Sequence, residues 1–191
     1  TVELRHATSS VADVSVEDAE LALTLSTHAW ESATADCSSV QFVIGPPATD
    51  TGTNLSGASR DGENRIVWRN DGWFDADPYV LARTTVIYNR ATGEELDADM
   101  DINASDFTWT TTDNPAPEES DLRIMLTHEL GHVIGIAHTD DPNATMFGEA
   151  LPGEIGKREL DEDDIEAVCT TYPLVKAPSG TLSLTAYQNC S

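Results

Sequence analysis

The stretch His128 to His138, HELGHVIGIAH, constrains this chain more than any other. Three of the five histidines in 191 residues fall inside it. Residues four apart on an α-helix share a face, so a helix here turns the His128 and His132 imidazoles toward one point. Glu129 is rotated by about 100° from His128, beside that point and not on it. Gly135 can take positive φ, end the helix and turn the chain back. His138 then returns as a third nitrogen. Three imidazoles with one open position suit zinc, which takes nitrogen ligands at about 2.0–2.1 Å and keeps a fourth site for water in catalytic centres. A carboxylate that stands beside such a water without competing as a ligand is placed to act as a general base. From the chain's own residue frequencies the pattern arises by chance on the order of once in 10⁴ to 10⁵ sequences. His6 and His28 lie outside it and read as ordinary strand and helix residues.

The segment carrying the motif must be a helix, and Asp121 to Ile134 has the spacing for one. Upstream, Val2 to His6 alternates as a strand, and Ser15-Val-Glu-Asp18 reads as a capping box that opens a helix from about Val16 to Ala33. Val40–Ile44, Arg65–Arg69, Leu81–Tyr88 and Leu96–Ile102 read as further strands. In the last of these, Asp97, Asp99 and Asp101 share one face. The favoured reading is a solvated face, with cation ligation as the alternative. The loop Ala48 to Asn64 is rich in Gly, Ser, Thr, Asp and Asn; it reads as solvated, with a calcium ion (Ca2+) as the minority option. Asp161 caps a final helix over Glu162–Thr171, stopped by Pro173.

Charge narrows the partners. The formal net charge is −24, with only Lys157 and Lys176 as lysines. Such a surface repels phosphate backbones and anionic lipid, so neither nucleic acid nor membrane is expected as a partner. No apolar run approaches the roughly 20 residues that span a bilayer. Thr1 is preceded by no Met and opens no signal-peptide pattern, as expected of a processed form or a trimmed chain. Cys37, Cys169 and Cys190 lack C-x-x-C spacing, which argues against a cysteine–zinc or redox motif. One disulfide with one thiol left over, outside the cell, and three thiols in a reducing compartment both remain open on this evidence.

HELGHVIGIAH with Met146 eight residues beyond His138 resembles the metzincin clan of metallopeptidases and, within it, the matrixins. Thr139 stands where matrixins usually have serine, and Asp163-Asp164-Ile165 is similar to their Asp-Asp-Ile near the start of the last helix. The resemblance implies an α+β metzincin fold: a five-stranded mixed twisted sheet, three main helices, and two lobes around an active-site cleft. It implies a single metallopeptidase catalytic domain over 1–191, with an upper subdomain to about residue 138 and a lower one from about 139. Leu81–Tyr88 would be the edge strand along the cleft. His128, His132 and His138 would hold one catalytic zinc (Zn2+), Glu129 would activate water, and Met146 would form an apolar floor beneath the metal. The implied protein is a secreted, monomeric zinc endopeptidase acting on protein or peptide substrates. Rival readings are a catalytically weak zinc-binding protein on the same scaffold, acting by protein–protein interaction, and a hydrolase of non-peptide amides.

Departures from the family pattern also set expectations. No histidine lies between His28 and His128, so the second, structural zinc of vertebrate matrixins is not expected. Their cysteine-switch propeptide motif is absent. Phe147-Gly148 replaces the usual Tyr-Pro, which leaves the primary specificity pocket open. By analogy with astacins, Cys37 is expected to pair with Cys169, with Cys190 as the alternative.

Overall fold

The computed structural model describes residues 1–7, 13–48, 51–53, 60–73, 77 and 79–174. Strands β1 (Val2–His6), β2 (Phe42–Ile44), β3 (Asn64–Arg69), β4 (Ala82–Tyr88) and β5 (Glu95–Asn103) form one sheet in the order β2-β1-β3-β5-β4. The first four in that order run parallel, and β4 runs antiparallel to β5 at the edge. Helices α1 (Val16–Thr34) and α2 (Leu122–Val133) pack beneath it, and α3 (Glu162–Thr171) follows a 3₁₀ turn at Gly156–Arg158. A short parallel pair, β6 (Trp109–Thr110) and β7 (Ser120–Asp121), leads into α2. This is the α+β architecture that the resemblance implies, and element ends fall within about two residues of those read from periodicity.

Strand periodicity divides the sheet into two faces. Leu4, Ile66, Trp68, Met100 and Ile102 point one way and join Leu23, Trp30, Leu126 and Leu130 in a continuous core. Trp30 of α1 is fully buried, and its indole N–H donates to the Thr127 carbonyl of α2 at 2.8 Å. Ser26 adds a hydroxyl donated to the Arg123 carbonyl at 3.2 Å. These bonds fix α1 against the helix that carries the histidines. At its own start, Ser15 caps α1 by accepting the Asp18 N–H at 3.1 Å. Asp18 takes the Ser15 hydroxyl at 2.7 Å, so the box closes through side chains. The full reciprocal capping box appears instead at α3, between Asp161 and Asp164.

The opposite face corrects one expectation. Asp97, Asp99 and Asp101 are not solvated; each is at most 3% exposed. Asp97 Oδ2 accepts the Asp61 and Gly62 N–H groups at 2.8 and 2.9 Å. Asp99 Oδ1 accepts the Arg65 N–H at 2.9 Å. Asp101 Oδ1 accepts Arg69 Nε at 2.6 Å and the Thr53 hydroxyl at 3.0 Å. The aspartates are affordable in the interior because backbone N–H groups and guanidinium groups replace water. Period-two spacing alone reads as a wet face because it cannot show that a loop folds over the strand. The loop Ala48 to Asn64, read as solvated with calcium as the minority option, falls partly outside the described residues, and Cys190 lies outside them.

Cys37, just beyond α1, is joined by a disulfide to Cys169 of α3, with Cα atoms 5.3 Å apart and a sequence separation of 132. The Leu174 N–H donates to the Cys37 carbonyl at 2.8 Å alongside it. The bridge ties the last helix to the first, across nearly the whole described chain. Removing a disulfide of this kind costs about 2–5 kcal/mol. Cys169→Ser is therefore expected to lower Tm by roughly 5–20 °C. Thermal unfolding followed by circular dichroism checks this, and an unchanged Tm contradicts it.

Candidate active site

Helix α2 begins where Asp121 accepts the Ile124 N–H at 2.8 Å. Arg158 holds Asp121 in turn, donating from Nη2 at 2.5 Å, and is itself buried. The helix ends in a two-bond C-terminal cap. Gly135 N–H donates to His132 O and Ile136 N–H to Gly131 O, each at 2.9 Å, and Gly135 takes φ +75°. This is the left-handed glycine stop that the sequence implies. The Tyr172 hydroxyl donates to the Ile134 carbonyl at 2.8 Å and braces the turn from the end of α3.

The turn brings His138 back onto the α2 histidines. Its Nε2 lies 3.1 Å from both His128 Nε2 and His132 Nε2. Among the described residues, these three are the one group of His, Cys, Asp or Glu placed to share an ion. The other nitrogens settle their protonation. His128 Nδ1 lies 2.7 Å from the Thr145 carbonyl, and His132 Nδ1 lies 2.8 Å from the Ile136 carbonyl. A carbonyl only accepts, so each Nδ1 carries the proton and each Nε2 offers a lone pair to the common point. Burial, aided by the neighbouring imidazoles, lowers the His128 pKa to about 4. Burial also lowers that of His138, with His132 adding to the effect. His128 and His138 are thus held in their neutral, ligating form. Converging lone pairs repel each other unless a cation lies between them, and the nitrogen donors and spacing fit zinc.

Glu129 is 6% exposed and lies against the same cluster. Burial pushes its carboxyl above the usual range, opposed by the neighbouring His132 and by a bond from Thr84. The Thr84 hydroxyl, on β4, donates to Glu129 Oε2 at 2.6 Å. The triad, Glu129 and Thr84 line one cleft of about 780 Å³, bounded by β4 on one side and by the 147–152 segment on the other.

Met146 is buried against α2 at Gly131, and its turn is fastened by one carboxylate. Asp164 accepts the Thr145 N–H at 2.8 Å, the Met146 N–H at 2.9 Å and the Asp161 N–H at 2.9 Å. Gly131, inside the motif, makes the approach possible. A Cβ there would lie 2.2 Å from Met146 Sδ and 2.9 Å from Trp30 Cζ2. The structure thus brings together His128, Glu129, His132, Gly135, His138 and Met146, while Cys37 and Cys169 lie outside the cleft lining. Sequence reasoning missed the roles of Gly131, Thr84 and Arg158. The glycine alone left a signal, as a helix-interior Gly next to a ligand.

Overpacking of this kind costs about 1–3 kcal/mol. Gly131→Ala is therefore expected to destabilise the fold by that amount, measured by urea unfolding. Stability equal to the parent would contradict the close approach.

Comparison with known proteins agrees with this geometry. The profile of the family described as Matrixin matches residues 65–173. Matrix metalloproteinase-16 of Homo sapiens is 28% identical over 133 residues, covering 69% of this chain and 22% of that protein. Neutrophil collagenase of Homo sapiens is 31% identical over 86 residues, covering 45% and 17%. Metalloendoproteinase 5-MMP of Arabidopsis thaliana is 33% identical over 101 residues, covering 51% and 28%. The matches thus span less than a third of each relative's length. With the profile extending from β3 through α3, across the helix, the glycine turn and the Met146 turn, the chain belongs to the matrixin family.

Proposed function

We propose that this chain is a secreted, monomeric zinc-dependent endopeptidase. The observation that carries the reading is the convergence of the His128, His132 and His138 Nε2 atoms on one point in a cleft beside a buried carboxylate. Bound by His128, His132 and His138, zinc supplies Lewis acidity and brings the pKa of a coordinated water to about 7. The remaining work falls to the chain. Glu129 accepts the proton of the attacking water and delivers it to the leaving amine. The Thr84 hydroxyl holds Oε2, which leaves Oε1 to face the reacting atoms. Strand β4 has β5 on one side and no strand partner on the other among the described residues, so its outer N–H and C=O groups can pair with an extended peptide. That pairing favours peptide substrates over small amides. The Cys37–Cys169 bridge supports an oxidising compartment, and none of the described helices is long and apolar enough to cross a membrane.

Glu129→Ala is expected to retain zinc by elemental analysis yet lose at least about 10²-fold in turnover on a peptide library. Cleavage at the parental rate, or parental cleavage that survives removal of zinc by a chelator, contradicts the proposal. Thr84→Val leaves the buried carboxylate short of a donor and is expected to lower kcat by about tenfold, with Thr84→Ser restoring most of it. Equal kcat for the valine and serine variants would remove Thr84 from the mechanism.

A further inference from the structure

Lys157 is one of two lysines in a chain of net charge −24, and it is not on the surface. It is 6% exposed, although lysine is among the residues least often buried. Its ammonium carries three N–H donors. One donates to the Glu149 carbonyl at 2.7 Å. The nearest carboxylate, Glu154 Oε1, stands at 3.9 Å, beyond hydrogen-bond reach. The face of Phe147 lies 4.9 Å from Nζ, a cation–π contact that uses no N–H. A buried ammonium with donors to spare is costly unless an acceptor completes it. Lys157, Glu149 and Phe147 all line the cleft that holds the three histidines and Glu129.

The surroundings define what such an acceptor would be. The wall that begins at Phe147, directly after the Met146 turn, continues through Gly148, Ala150, Leu151 and Pro152, so its lining is largely apolar, with the exposed Glu149 the one acidic residue of that segment. A side chain with an aliphatic stem and an anionic tip matches both parts: methylene groups along the wall, a carboxylate on Nζ. A charge-assisted bond in a partly dry pocket is about twice as strong as a neutral one. The acidic surface opposes the approach of an anionic peptide, but that repulsion is screened beyond about 10 Å at 0.1 M salt, while the pocket pair is not.

Resting on the endopeptidase reading above, we propose that Lys157 is a specificity-determining residue, selecting substrates with glutamate at one of the two positions flanking the scissile bond.

The test uses peptides cleaved by the zinc-loaded protein, varied at each flanking position among Glu, Gln, Leu and Lys. At one position, kcat/KM for Glu is expected to exceed that for Gln by about tenfold. Lys157→Met keeps the stem and removes the charge. It is expected to abolish the Glu-to-Gln ratio, with the loss falling mainly on KM, whereas Lys157→Arg keeps an acid preference. Fluorescence anisotropy of the same labelled peptides on zinc-loaded Glu129→Gln protein, with and without Lys157→Met, reads the preference without turnover. It therefore separates failure of this inference from failure of the endopeptidase reading. Circular dichroism establishes that each variant is folded. Equal cleavage and equal binding of Glu and Gln peptides at both positions would overturn the proposal, as would a preference that survives Lys157→Met.

Discussion

Two backbone carbonyls decide the chemistry of this protein. Thr145 O and Ile136 O each accept from a histidine Nδ1, and by doing so force the Nε2 lone pairs of His128 and His132 toward one point. The rest of the architecture can be read as what holds those two oxygens still. Ile136 O is placed by the glycine stop of α2, which Tyr172 braces from α3. Thr145 O is placed by the Met146 turn, whose N–H groups converge on the fully buried carboxylate of Asp164. A single helix start therefore supports both the apolar floor of the cluster and one of its tautomers. The Cys37–Cys169 bridge locks that same helix to α1, and α1 to α2 through Trp30.

Charge is distributed to match. The excess of acid covers the surface, but several carboxylates are interior and each has a defined partner. Asp97, Asp99 and Asp101 bind backbone N–H groups and the side chain of Arg69, which fastens the described parts of the loop before β3 onto the sheet. Asp121 joins the α2 start to Arg158, whose Nη1 also reaches Asp113 at 2.5 Å. Arg158 is thus structural, while its N-terminal neighbour, Lys157, lines the cleft. Adjacent basic residues on one 3₁₀ turn serve different ends because successive side chains point to different sides of so tight a turn.

Much of the site was legible because its chemistry demands fixed spacing. His128, Glu129, His132, Gly135 and His138 can be read from helix geometry and the needs of a metal, and the elements around them from periodicity. The partners that act across the fold were not legible. Thr84 meets Glu129 only because β4 passes over α2, and nothing in the local pattern of Leu81–Tyr88 distinguishes it from Thr85. The aspartates of β5 misled for a related reason, since alternation reports two faces but not what covers each. Asp164 was visible as a match to a family motif, yet its two bonds to the Met146 turn emerge only when residues 18 and 19 positions apart meet.

The central claim is that three histidine nitrogens, two of them with tautomers fixed by backbone carbonyls, form a zinc site with one open position. X-ray absorption at the zinc edge of the purified, zinc-loaded chain tests it most directly. The account predicts one zinc per chain with three nitrogen ligands at about 2.0–2.1 Å and one oxygen. A shell containing sulfur, a shell of four protein ligands, or a chain that retains no zinc would contradict it.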